Sequence, residues 1–164
     1  MYNSFISSRN QVKTDFADID VQLRRRASLV ENLVTLVREY AKHENKTFHQ
    51  VAEARSALDK PRGAKETQAI DNMLTSALRS LFAVSEAYPK LLASDNYKSL
   101  RDDLKETENL IARYREEYNQ TVLGFNTNIQ IFPNLLVAKL FGFQDEELFV
   151  QEPSERLDPK VSSS

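Results

Sequence analysis

The feature that most constrains this chain is an apolar repeat of three and four residues, which crosses its first third without a proline or glycine. Apolar side chains at this spacing share one face of an α-helix. The repeat comprises Val12, Phe16, Ile19, Leu23, Val30, Leu33, Val37, Tyr40, Val51, Ala54 and Leu58. It lapses at Arg26, Glu44 and Thr47. The sequence therefore predicts one amphipathic helix from about residue 5 to residue 59, roughly 80 Å long.

The continuity of this helix depends on Ser28, because serine is a good N-cap and could begin a separate helix there. The repeat stays in phase on both sides of Ser28, so we expect a continuous or gently kinked helix. Such a helix is much longer than the one that follows. Its N-terminal part would then project as a stalk or pair with another subunit.

Proline and glycine divide the rest of the chain. Pro61 and Gly63 break the first helix, and a second is predicted from about residue 65 to residue 88. Pro89 ends or kinks that helix because proline lacks the amide hydrogen.

A third long helix is predicted to begin at Ser94 or Asp95, either of which is a suitable N-cap. Pro133 stops it, and a short fourth helix begins after Asn134 and ends at Gly142. Short loops place successive helices antiparallel. The sequence therefore predicts an all-α fold, an elongated antiparallel up-and-down helical bundle of three long helices plus a short C-terminal fourth. We expect one domain over residues 1–152 and a flexible tail over 153–164.

Charge and composition exclude several classes of function. Lys plus Arg is 22 and Asp plus Glu is 24, and this near-neutral balance argues against nucleic acid as a partner. The absence of cysteine excludes disulfides, thiolate metal sites and cysteine nucleophiles. The longest uncharged apolar run, residues 135–138, is far shorter than a membrane span, so we expect the given chain to be soluble.

The histidines do not form a recognisable metal site. His43 and Glu44 begin a zinc-protease motif, but its second histidine would have to stand at Thr47. We expect His43 to pair with Glu39 one turn away, and neither His43 nor His49 to bind a structural metal. The sequence thus predicts no catalytic residue, no cofactor and no metal. A metal-binding bundle enzyme that uses Glu39, His43 or Glu44 is the less favoured alternative.

Two polar features remain. Residues 24–26 are three arginines that could meet lipid headgroups or an acidic partner, although adjacent residues spread around a helix. Glu108, Arg115, Asn119 and Asn126 follow one another at intervals of seven, four and seven on the third helix. This polar stripe either fixes register through hydrogen bonds to the first helix or binds a partner. The register reading is favoured, because stripes beside an apolar seam are usually partly buried.

A series of short stretches matches one known family in order and spacing over about residues 2–149. They are Tyr2-Asn3, Arg9-Asn10, Asp18-Ile19-Asp20-Val21-Gln22, Asn32-Leu33-Val34, Tyr40-Ala41, His43-Glu44, Ala54-Arg55, Glu86-Ala87-Tyr88-Pro89, Thr107-Glu108-Asn109-Leu110-Ile111-Ala112, Arg115, Tyr118-Asn119, Asn126, Phe132-Pro133 and Phe141-Gly142-Phe143. With these stretches the chain resembles the LemA family of bacterial membrane-anchored proteins. Glu31 departs from the pattern, since the family often has proline there, and this weakens the case for a break near Ser28.

The resemblance implies a four-helix bundle behind one N-terminal transmembrane helix, and we expect Met1 to mark the start of a chain shortened by that helix. The family has no established enzymatic activity, and its members often occur beside membrane metalloproteases. We therefore expect a non-enzymatic, membrane-anchored scaffold or adaptor that binds another cell-envelope protein, with a membrane metalloprotease as one candidate. The bundle is expected on the extracytoplasmic side. The alternative is a structural protein that self-assembles at the membrane as a homo-oligomer through the first helix.

Overall fold

The computed structural model describes residues 1–42 and 45–150, although the side chain of Asn45 is not described. Its elements are α1 (Tyr2–Tyr40), α2 (Asn45–Leu58), α3 (Ala64–Ser85), α4 (Pro89–Leu92), α5 (Asp95–Gln130) and α6 (Asn134–Phe141). Every regular element in these residues is a helix, and no strand occurs among them. The predicted all-α class is confirmed. The domain boundary at residue 152 and the tail over 153–164 lie outside the described residues, and both stay predictions.

The first predicted helix is two helices. Helix α1 is continuous through Ser28, as expected, but it ends at Tyr40, and Ala41 has extended backbone with φ −121° and ψ 97°. Helix α2 then begins at Asn45, so the prediction of one helix as far as residue 59 was wrong. The apolar repeat resumes in α2 because this helix also has an inward face. Phase alone does not distinguish one long helix from two that fold back.

Helix α2 packs against both α1 and α3. Arg55 of α2 forms an ion pair with Glu31, and Asp59 forms one with Arg24, so α2 runs antiparallel to α1. The last part of the predicted long helix, which is α2, therefore folds back on the part before it. The projecting stalk that the sequence suggested does not form, since α1 is packed against its own chain.

Helix α5 is the main partner of α1 and runs antiparallel to it. Arg25 pairs with Glu106 at 3.1 Å near the middle of α1, whereas the ring of Phe16 lies 6.0 Å from that of Tyr118. Helix α3 runs parallel to α1, because residue numbers increase in the same direction along both helices where they contact each other. The contacts that show this are Arg62 with Asp20 and Asp71 with Arg26. Helices α1, α2, α3 and α5 thus alternate in direction.

The helix ends follow their capping residues. Ser94 is the N-cap of α5, and its hydroxyl oxygen accepts a hydrogen bond from the Tyr97 amide at 3.3 Å. Gly142 follows α6 in the left-handed conformation with φ 71°, which glycine adopts without strain. Helix α3 already ends at Ser85, and Pro89 is the first residue of the short helix α4.

Helices α1 and α5 are much longer than α2 and α3. Residues 143–150, which we call the strap, cover instead the N-terminal half of α1 and the C-terminal half of α5. The strap has no regular secondary structure. The Phe149 side chain of the strap is buried in the same core as Phe5 and Ile19 of α1. The Phe143 side chain is partly buried and packs against that core.

Candidate functional site

The polar stripe of α5 holds the strap through its main chain. The side-chain amide of Asn119 donates to the Phe149 carbonyl at 3.0 Å and accepts from the Phe149 amide at 2.9 Å. Asn126 makes the same two bonds with Glu146, at 3.0 and 2.8 Å. Each asparagine therefore satisfies both polar groups of one strap residue, as a neighbouring strand would in a sheet.

Further side chains of α5 extend this pairing. The Tyr118 hydroxyl donates to the Glu147 carbonyl at 2.8 Å. At the end of the helix, the Gln130 amide donates to both carboxylate oxygens of Asp145, at 2.9 and 3.0 Å. Three side chains of α5, those of Asn119, Asn126 and Tyr118, thus bond to the main chain of the strap, and Gln130 bonds to a strap side chain.

Two aromatic side chains of the strap lie against aromatic residues of the bundle. The Phe149 ring lies 5.1 Å from that of Tyr118 and 6.3 Å from that of Phe16. The Phe143 ring lies 5.2 Å from that of Phe5, and the Arg9 guanidinium lies 5.2 Å from its centroid. Such ring pairs add to the free energy of apolar burial. The strap is therefore held by side-chain burial as well as by its main chain.

Burial changes the acidity of Tyr118. Loss of solvent is the largest cause that raises the pKa of this phenol, and together with the negative charges of Glu146 and Glu147 it brings that pKa to about 12. All three effects disfavour the phenolate. The Tyr118 hydroxyl therefore stays protonated, as the hydrogen bond to the strap requires.

Arg115, the second residue of the stripe, faces α3 rather than the strap. Its guanidinium donates to the Gln68 side chain at 2.9 Å and lies 3.7 Å from the Asp71 carboxylate. Asp71 also pairs with Arg26 of α1, whose exposed fraction is only 4%. One buried carboxylate thus lies between two guanidinium groups from different helices. From the sequence, Arg26 stood out as a lapse in the apolar repeat and as one of three consecutive arginines, and the lapse was the signal of this site.

The stripe does not bond to α1, which was the partner that the register reading assumed. Asn119 and Asn126 bond to the strap, Arg115 bonds to α3, and Glu108 is exposed on α5. The structure therefore brings three of the four residues into tertiary contacts and leaves Glu108 outside them. Whether the stripe also binds a partner stays a prediction.

The three consecutive arginines contact three different parts of the bundle. Arg24 pairs with Asp59 after α2, Arg25 pairs with Glu106 of α5, and Arg26 pairs with Asp71 of α3. Adjacent residues on a helix point about 100° apart, so one run of three reaches three neighbours. These side chains hold the helices together and do not form a basic patch.

The residues of the metal alternative are only partly described. His43 and Glu44 lie outside the described residues, whereas Glu39 is exposed in the last turn of α1. The exposed ring of His49 lies 6.0 Å from that of Phe48. Within residues 1–42 and 45–150, no three side chains of the His, Cys, Asp or Glu type gather closely enough to hold a metal ion.

A cleft of about 340 Å³ lies beside the C-terminal end of the described strap. Its lining comprises Gln68, Ala112, Arg113, Arg115, Glu116, Asn119, Phe149 and Val150. The cleft combines polar side chains of α3 and α5 with the end of the strap. It therefore continues the surface on which the strap lies towards the middle of α5.

A comparison with protein-family models finds a match to the LemA family over residues 15–162. The chain belongs to the LemA family. This match covers α1 from Asp15 onward, the other five helices and the strap. In this family member, the strap and the stripe that holds it both fall within the matched range.

Curated relatives of this LemA-family chain are magnetosome proteins. Magnetosome protein MamQ 2 of Paramagnetospirillum magneticum is 28% identical over 93% of this chain and 66% of its own length. Magnetosome protein MamQ of Magnetospirillum gryphiswaldense is 25% identical over the same shares of the two chains. The chain thus spans just under two thirds of the length of these relatives. None of the helices in its described part is both long and apolar enough to cross a bilayer.

Proposed function

We propose that this chain is the helical domain of a membrane-anchored, non-enzymatic scaffold or adaptor that binds an extended segment of another cell-envelope protein. The observation that carries the proposal is the pairing of Asn119 and Asn126 with the main chain of the strap. Membership of the LemA family and likeness to proteins named for the magnetosome support association with a membrane.

This surface suits an extended protein segment for a chemical reason. Asparagine side chains that bond both the N–H and the C=O of one residue recognise the main chain, whatever the side chain is. Selectivity then comes from the aromatic contacts of Phe16 and Tyr118, which accept a ring in the place of Phe149. A partner segment would use the same two kinds of contact, either after displacing the strap or by entering the cleft beside it.

The partner class comes from the family resemblance. A membrane metalloprotease is the first candidate, and the bundle would meet it on the extracytoplasmic side of the membrane. An anchoring helix in the complete protein would hold the two close together, so a weak contact would be sufficient.

The proposal is tested by crosslinking the complete membrane-anchored protein in its own cells. A photo-reactive residue at Arg113, which lines the cleft, should crosslink to a second protein. The matched control carries the photo-reactive residue in place of Lys105, an exposed position on α5 outside the cleft. A partner captured equally from both positions, or from neither, would remove the support for this surface.

The same crosslink separates the proposal from its rivals. A product made only of two copies of this chain would favour self-assembly instead. Stoichiometric zinc or iron that survives dialysis of the purified protein against a chelator would favour the metal-binding enzyme. The proposal expects a heterologous crosslink and no retained metal.

A further inference from the structure

Helix α6 and the turn before it expose large apolar side chains. Phe132, Leu136 and Leu140 follow one another at intervals of four residues, with exposed fractions of 81%, 60% and 78%. A helix on the surface of a protein in water normally directs polar side chains outward. Here Leu136 and Leu140 point out of α6, while Ala138 on its other side is buried in the core. The outward face of α6 is thus apolar without being covered by the described chain.

The exposed surface continues onto the beginning of α1. The ring of Tyr2 lies 4.7 Å from that of Phe141, and both side chains are exposed. Ile131, just before Phe132, is exposed as well. These residues together form what we call the apolar end of the bundle: Tyr2, Ile131, Phe132, Leu136, Leu140 and Phe141. Contiguous exposed apolar side chains of this kind mark a surface that is covered in use.

The charges around the apolar end are unlike those of the whole chain, whose net charge is −2. Residues 1–14 and 118–144 contain no Asp or Glu, and their charged side chains are Arg9, Lys13 and Lys139. The carboxylate of Asp145 lies next to this region and accepts two hydrogen bonds from Gln130. Cationic side chains beside exposed apolar ones are complementary to a surface that is apolar inside and anionic outside.

We propose that the apolar end docks on an anionic lipid bilayer, with α6 lying in the interface. Phe132, Leu136 and Leu140 would enter the boundary between headgroups and acyl chains, and the Lys139 ammonium would meet lipid phosphates. The eight residues of α6 are too few to span a bilayer, so the contact is interfacial. The bundle then stands on the membrane by its own surface, in addition to any anchoring helix.

The test measures co-sedimentation of residues 1–164 with vesicles of equal parts phosphatidylglycerol and phosphatidylethanolamine. The wild-type chain should bind these vesicles, and the double substitution Leu136→Asp with Leu140→Asp should lower binding about tenfold or more. Lys139→Glu should lower binding to these vesicles but not to phosphatidylcholine vesicles, because only the former are anionic. Val21→Asp is the matched control, since Val21 is equally exposed in the middle of α1.

Circular dichroism should show the same helix content for every variant. If the double variant fails to fold, Phe132→Ser gives the same test at a site outside the helices, with a smaller loss expected. Absence of wild-type binding, or an equal loss with Val21→Asp, would overturn the proposal. A wild-type dimer that Leu140→Asp dissociates would overturn it too, since the surface would then join two copies. Vesicle binding and the partner crosslink at Arg113 are separate readouts, so either proposal can fail alone.

Discussion

At the scale of single residues, the bundle depends on a charge where the apolar repeat requires a hydrophobic side chain. Arg26 takes that place in α1, and its guanidinium meets the Asp71 carboxylate in the interior. Arg115 reaches the same carboxylate from α5. Three helices therefore meet at one charged cluster, which is worth little as net stabilisation but is costly to disrupt.

Asp71→Asn should destabilise the bundle by about 3–5 kcal/mol, because it leaves Arg26 buried beside a neutral amide. Chemical denaturation followed by circular dichroism measures this loss. Asp102→Asn, at an exposed position of α5, is the control and should change the free energy of unfolding by about 0.5 kcal/mol or less. A loss for Asp71→Asn as small as that of the control would show that the cluster is dispensable.

The raised pKa of Tyr118 predicts loss of stability in alkali. The folded-state pKa of about 12 exceeds the ordinary value of 10.0, so the folded protein binds this proton more tightly. The contribution is fully present below about pH 10 and disappears as the pH rises through about 12. An absorbance titration of phenolate should show a late step that Tyr118→Phe removes. Tyr40→Phe, far from the strap, should retain that step. Loss of the late step in the Tyr40→Phe variant would contradict its assignment to Tyr118.

At the scale of elements, the sequence predicted the helices better than the contacts between them. The N-cap at Ser94 and the helix end at Gly142 are confirmed, because capping chemistry is local. The break after Tyr40 was missed, since the apolar phase continues through it. The asparagines were recognised as a stripe, but their partner was not. The strap has no periodicity, and its pairing with Asn119 joins residues 30 positions apart.

The double substitution Asn119→Leu with Asn126→Leu should release the strap while the helices stay folded. It removes four hydrogen bonds to the strap main chain, each worth about 0.5–1.5 kcal/mol. Hydrogen exchange should then show loss of protection at the Glu146 and Phe149 amides only. The control is Asn109→Leu at an exposed site on α5. Amides that stay protected in the double variant would show that aromatic burial alone holds the strap.

At the scale of the whole molecule, the two ends of the bundle differ in how they are closed. Helices α2 and α3 cover one part of the long α1–α5 pair, where Arg24, Arg25 and Arg26 make ion pairs. The strap covers the other part, where Phe143 and Phe149 supply the missing apolar surface. The second part therefore depends on eight residues without secondary structure, and it is the part to which a competing segment would have access.

A chain that stops at Gly142 should lose this cover and associate with itself. Burial of one large apolar side chain contributes about 1.5–3 kcal/mol, so loss of Phe143 and Phe149 should lower the free energy of unfolding by about 3 kcal/mol or more. It also exposes Phe16 and Tyr118, and light scattering during gel filtration should detect the resulting dimers or larger species.

A chain that stops at Val150 is the control, because it keeps the strap and should remain as stable as the full chain. A synthetic peptide of residues 143–150 should restore the stability of the chain that stops at Gly142, since Asn119 and Asn126 would bond to the main chain of the peptide. The same peptide should not restore a shorter chain that carries Asn119→Leu and Asn126→Leu. If the peptide restores both truncated chains, the aromatic contacts alone are sufficient to bind it. Restoration of neither would mean that this surface cannot take a segment from outside its own chain, so a partner would have to enter the cleft beside the strap instead.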